Sequence, residues 1–243
     1  VHTPLEAPPE LRGNGSIRAN YLGVISDLDT QLGRVINYIK EVPQLKNNTL
    51  IVFTSDNGPS NRIGSTAGLR AYKGSLYEGG IREPFIVWGP GIIPDKAQGT
   101  TNEHTIVAGM DLPPSLLSIA DVKTPDSIAF DGLDMSQELL SKSEAKRSDP
   151  VMWVRPPDYN ANGNWKGLRS RNDLAIRQGK WKLLVETDGS STELYNLEKN
   201  PGETINLVAD HPEITKNLKE KVLDWFEEVI ANSSAQAKYW ERD

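Results

Sequence analysis

From Ile17 to Glu41 apolar side chains recur at Tyr21, Val24, Ile25, Leu28, Leu32, Val35, Ile36 and Ile39, the spacing of one helix face. The pattern predicts an amphipathic helix with its stripe against a sheet. Asp27 and Asp29 lie two residues apart and so point to different faces, which makes them solvated surface rather than a metal pair. Pro43 and Asn47-Asn48-Thr49 break the pattern. Leu50-Ile51-Val52-Phe53-Thr54 follows, apolar and β-branched without polar alternation, as expected of a strand buried on both faces of a parallel sheet. Phe85-Ile86-Val87-Trp88 is a second such run, closed by the turn Gly89-Pro90-Gly91. Asp111 to Ala120 reads as a helix entered through Pro113 and Pro114.

Between Asp121 and Asp149 the chain turns polar, and a subdomain boundary is expected there, giving residues 1–149 and 150–243. Beyond it Val151-Met152-Trp153-Val154, Leu174-Ala175-Ile176-Arg177, Trp181 to Val185 and Glu193 to Asn196 alternate with turn residues and predict a small antiparallel sheet. A helix start at Asp210-His211-Pro212-Glu213 then leads into one stripe, Ile214, Leu218, Val222, Trp225, Phe226 and Val229.

The candidate chemistry sits after the first strand. Ser55-Asp56-Asn57-Gly58-Pro59 begins where a strand ends, and in open α/β sheets ligands gather beyond the carboxyl ends of strands. Asp56 and Asn57 together offer hard oxygens to a divalent cation such as calcium or magnesium. The same residues also make an ordinary turn, because Asn and Gly tolerate positive φ. The continuation Leu69-Arg70-Ala71-Tyr72-Lys73-Gly74-Ser75-Leu76-Tyr77-Glu78-Gly79-Gly80-Ile81-Arg82-Glu83-Pro84 sets a lysine, a glutamate and an arginine among three glycines.

Taken together, SDNG and GLRAYKGSLYEGGIREP resemble the type I sulfatases, the formylglycine-dependent sulfuric ester hydrolases (arylsulfatases) of the alkaline phosphatase superfamily. The resemblance implies an α/β fold: the C-terminal part of an alkaline-phosphatase-like mixed sheet flanked by helices, then a small antiparallel-sheet-plus-helix subdomain. It implies that Asp56 and Asn57 bind an active-site calcium and that Lys73 contacts the sulfate. The opening His2-Thr3-Pro4-Leu5-Glu6-Ala7-Pro8 resembles a family stretch whose histidine also contacts the sulfate, which falls on His2. Either His2 or Lys73 could protonate the leaving oxygen. Asp111 resembles the start of a family helix and is given a structural role, as is His104. Glu78 and Arg82 are expected to pair with each other.

Composition limits the reading further. The 243 residues hold no cysteine and no Cys/Ser-x-Pro-x-Arg motif from which the family makes formylglycine. The family's first calcium-binding Asp pair is missing as well. The expectation is therefore a C-terminal part that needs an N-terminal half and is inactive without it. A net charge of -6 with no basic run argues against nucleic acid, and no apolar stretch approaches a membrane span. The implied location is periplasmic or extracellular, lysosomal or secreted in a eukaryote. The sequons at Asn14, Asn47 and Asn232 are too common to decide a compartment.

Trp153, Arg155, Tyr159, Trp165, Lys166, Arg169 and Arg171 mix aromatic faces with cations, which suits a sulfated glycan; an exposed basic loop packed on its own subdomain is the equal alternative. Aryl or simple alkyl sulfates remain open as substrates. Two competing readings are a phosphatase or phosphonate hydrolase of the same superfamily and a catalytically silent binding fragment. The first calls for metal-binding histidines after strands, which His2, His104 and His211 do not supply.

Overall fold

The computed structural model describes residues 4–60, 63–155 and 173–232. The chain divides into two compact units, residues 1–56, 62–64 and 83–147, and residues 57–61, 65–82 and 148–243. The second unit takes in most of the loop between the first two strands as well as residues 148–243.

In the first unit, helix α1 (Ile17–Glu41) starts where Ser16 Oγ accepts a hydrogen bond from the Ala19 N–H at 3.2 Å. The helix has its expected length, but its stripe is not buried against a sheet. Only Gly23 and Ile39 are buried, while Ile25, Leu28 and Val35 are exposed. Its close contact is instead with the 3-10 turn Pro9–Leu11: a Cβ on Gly23 would come within 2.3 Å of the Leu11 carbonyl oxygen. A short helix, α2 (Pro43–Lys46), follows α1.

Strands β1 (Ile51–Thr54) and β2 (Phe85–Trp88) pair antiparallel, from Ile51↔Trp88 to Thr54↔Phe85. This corrects the expectation of a parallel, doubly buried strand. A short apolar run reports that a strand is hydrophobic but not the direction of its neighbour. Here the loop 55–84 returns the chain beside β1 in the opposite sense, and Phe85 and Ile86 are exposed, Ile86 at 56%.

Helix α4 (Leu112–Ile119) is entered through Pro113 and Pro114 after a 3-10 turn, Gly109–Asp111. Asp111 is fully buried, and Leu133 donates its N–H to Oδ1 at 2.9 Å. Oδ2 accepts from the Ala108 N–H at 2.7 Å and pairs with the buried Arg147. Ser115 Oγ accepts from the Met135 N–H at 2.8 Å and so ties α4 to the approach of α5 (Ser136–Leu139).

In the second unit four strands form an antiparallel meander, β3 (Val151–Val154), β4 (Leu174–Gln178), β5 (Trp181–Val185) and β6 (Glu193–Asn196), in that spatial order. Side chains alternate across it. Leu174, Ile176, Leu183, Val185 and Leu194 face helix α6 (Pro212–Asn232), which contributes Leu218, Val222 and Phe226. Val229, expected in the same stripe, is exposed. The other face presents Ala175, Leu184 and Tyr195 to Leu76 and Tyr77 of the 65–82 segment. That segment therefore serves as the second cover of the sheet, and it contains the short helix α3 (Glu78–Ile81).

Candidate functional site

The turn after β1 and the segment around Lys73 are joined by backbone. Gly58 N–H donates to the Gly80 carbonyl at 2.9 Å, and Lys73 N–H donates to the Pro59 carbonyl at 3.0 Å. The approach is closer than any side chain permits, since a Cβ on Gly58 would lie 2.0 Å from the Gly79 oxygen. Asn57 is half-buried, and its Nδ2 donates to the Gly58 carbonyl at 3.0 Å. Lys73 is exposed and makes no ion pair among the described residues. The second unit thus brings Asn57 and Lys73 onto one hydrogen-bonded frame.

Asp56, the preceding residue, is exposed, and its charge acts on Glu83 within the first unit. Burial raises the Glu83 carboxyl above its ordinary range; a hydrogen bond with Ser55 opposes this and the Asp56 charge adds to it. Glu83 Oε1 is shielded from water without a hydrogen-bond partner. Two adjacent carboxylates, one with an orphaned oxygen, suit a divalent cation. Calcium prefers roughly six to eight oxygens, so these residues fit part of such a site. No group of three or more His, Asp or Glu among the described residues could hold a metal alone. The sequence reading did not single out Glu83, whose relation to Asp56 depends on the pairing of β1 with β2, which ends at Thr54↔Phe85.

What fixes the Lys73 segment is a buried ion cluster. Lys182 on β5 is fully buried, and its Nζ lies 2.8 Å from Glu78 Oε1 and 2.9 Å from Glu203 Oε1. Glu203 Oε2 also accepts the Glu78 N–H at 2.6 Å. Arg82 does pair with Glu78, but at 3.8 Å and from an exposed position, so Lys182 is the main partner. Burial raises the Glu203 carboxyl above its ordinary range, against the opposing pull of Lys182. The glycines beside Glu78 let α3 press onto the chain: Gly79 N–H donates to Arg70 O at 2.8 Å, and a Cβ on Gly80 would meet the Ser75 oxygen at 2.2 Å.

Arg70 stacks its guanidinium 3.8 Å from the Tyr77 ring centre and donates to Tyr195 Oη at 2.7 Å. Tyr77 and Tyr195 both donate to Glu193 Oε2 at 2.7 Å. Burial and then the bond to Glu193 hold both phenols well above their usual range, so they remain donors.

His2 lies outside the described residues, as do Tyr159, Trp165, Lys166, Arg169 and Arg171. Two other members of that aromatic and cationic set are structural. Trp153 lies in β3 and packs against the Leu76 and Tyr77 cluster, and Arg155 is buried with its N–H donating to Asp173 O at 2.8 Å.

An exposed ammonium such as that of Lys73 can grip an anionic group, and a cation would add to the pull. Residues 1–122 match the family described as Sulfatase, and residues 71–228 match that described as N-sulphoglucosamine sulphohydrolase, C-terminal. Arylsulfatase A of Homo sapiens is 31% identical over 225 residues, covering 81% of this chain and 41% of its own length. An N-acetylgalactosamine-6-O-sulfatase of Bacteroides thetaiotaomicron is 29% identical over 248 residues, covering 90% and 44%. The solved structure of Ps i-CgsB in complex with k-i-k-neocarrahexaose superposes with a TM-score of 0.76 at 26% identity, covering 92% of this chain and 47% of that one. The chain therefore spans a little under half the length of these relatives. With both family matches covering half of it or more, and with its α/β fold shared by the solved neighbours, the chain belongs to the sulfatase family.

Proposed function

We propose that this chain is the C-terminal part of a sulfuric ester hydrolase that removes sulfate from sulfated carbohydrates. The observation that carries the proposal is Lys73, exposed, without an ion pair among the described residues, and tied through Pro59 to the stretch that follows Asn57. A structural lysine would be expected to find a carboxylate or to lie along an apolar surface. Lys73 binds the sulfate oxygens, and Asp56 and Asn57 hold part of a calcium ion. Glu83, with its orphaned oxygen, fits the same ion. A calcium ion held there would add positive charge at the sulfate, and the attacking oxygen would have to come from a formylglycine that residues 1–243 do not carry. His2 contacts the sulfate, and either His2 or Lys73 protonates the departing sugar oxygen.

The carbohydrate class is supported by the relatives: one is named for a sulfated amino sugar, and another is solved with a carbohydrate named in its description. In this reading the active unit needs the segment that completes the fold, and family membership supports a periplasmic, extracellular or lysosomal location. No helix among the described residues is long and apolar enough to cross a membrane.

The test is an assay of the full-length protein on an aryl sulfate and on sulfated monosaccharides, with aryl phosphate and a phosphonate monoester in parallel. The proposal expects calcium-dependent sulfate release from a sugar, abolished by chelation. Faster release from the phosphorus esters would favour a phosphatase or phosphonate hydrolase, and tight glycan binding without turnover would favour a silent binding protein.

A further inference from the structure

The cluster of Lys182, Glu78 and Glu203 is a set of buried ionisable groups to which the proposed chemistry assigns no role. Its neighbours on the same sheet face, Ala175, Leu184 and Tyr195, show that an apolar packing would have been available there. Burying two carboxylates around one ammonium carries a desolvation cost that often cancels the attraction, so such clusters tend to select a conformation rather than add stability. The conformation selected here can be traced. Lys182 grips the Glu78 side chain while Glu203 holds the Glu78 N–H, so Glu78 is fixed at both ends. Arg177, opposite Lys182 on β4, adds a contact to Glu78 Oε2 at 3.8 Å. Glu78 opens α3, and the next two residues carry the bonds that matter: Gly79 N–H to Arg70 O, three residues before Lys73, and Gly80 O to Gly58 N–H, one residue after Asn57.

We infer that Lys182 is a positioning residue, which through Glu78 and α3 holds Lys73 and the Asn57 turn in the arrangement that sulfate-ester cleavage needs. Its catalytic consequence rests on the proposed function, but its structural path does not. Lys182 itself touches no substrate. Removing groups that hold a ligating or binding residue in place commonly costs about 10- to 100-fold in activity or metal affinity.

The experiment uses the full-length protein with two variants, Lys182→Met and the charge-balanced Lys182→Met/Glu203→Gln. The double variant leaves Glu78 with Arg177 and Arg82 and keeps an oxygen for its N–H, so it folds even where the single one does not. Leu218→Ala, on the opposite face of the sheet, is the control for a general loss of stability. Amide hydrogen exchange is read at Gly58, Lys73 and Gly79, with the calcium concentration for half activity and kcat/KM on the same samples. The double variant is expected to lose protection at these three amides beyond Leu218→Ala at matched melting temperature, and kcat/KM is expected to fall about 10- to 100-fold. Unchanged protection at these amides, or unchanged kcat/KM in a wild-type enzyme that does cleave sulfate esters, would overturn the inference. An inactive wild type would count against the proposed function alone, and the exchange data would still decide the path.

Discussion

Asp111 shows how one buried carboxylate can organise a region without touching chemistry. It takes N–H bonds from Ala108 and Leu133 and an ion pair from Arg147, joining three stretches far apart in sequence. Replacing Asp111 by Ala breaks a buried ion pair with Arg147 and removes the acceptor of two N–H groups, so the free energy of unfolding should fall by about 3 to 5 kcal/mol, measured by chemical denaturation. The glycines of the EGG motif act by what they lack. Gly79→Ala would push a methyl to within 2.4 Å of the Arg70 and Ala71 oxygens. Overpacking of this kind costs about 1 to 3 kcal/mol, and here it would also displace the Lys73 segment, so activity should fall more steeply than the melting temperature alone explains. Asp111 was legible as a structural residue because it opens a helix at a recognisable motif. Glu83 was not, since its meaning depends on which residue lies across the strand pair.

Among the elements, the meander β3 to β6 and helices α1, α4 and α6 were readable from periodicity because their side chains alternate or recur on one face. The direction of β1 against β2 and the burial of α1 were not, because both depend on neighbours that a local pattern does not name. Lys182 was hidden for a related reason: inside WKLLV it looks like an outward-facing residue, whereas this sheet is covered on both faces. The ion cluster it forms predicts a pH signature. Burial raises the Glu203 carboxyl above the ordinary 4.5, so the folded state holds this proton more tightly than the unfolded chain. The stability this contributes is fully present below the unfolded value and is lost as pH rises through the folded one. Denaturation of wild type and Glu203→Gln across that window should show the advantage of the wild type shrinking as pH rises; a difference that stays constant or grows would contradict the buried placement of Glu203.

Across the whole molecule, family membership is carried by matches over most of the chain, while the relatives it matches are about twice as long. Asp56 and Asn57 fall short of the roughly six to eight oxygens calcium prefers, so calorimetry should find weak or no calcium binding to residues 1–243 and tighter binding to the full-length protein. Equal affinity in both would mean that the turn does not contribute to a larger site. The central claim is that Lys73 grips the sulfate. It is tested most directly by measuring kcat/KM and melting temperature on one preparation of full-length Lys73→Ala, with Lys40→Ala on the exposed side of α1 as control. Loss of a charge-assisted contact made at the reacting group costs roughly 2 to 4 kcal/mol, so kcat/KM should fall about a hundred- to a thousandfold while the melting temperature stays with the control. A Lys73→Ala enzyme that keeps near wild-type kcat/KM, or that loses activity only in step with its stability, would contradict the account.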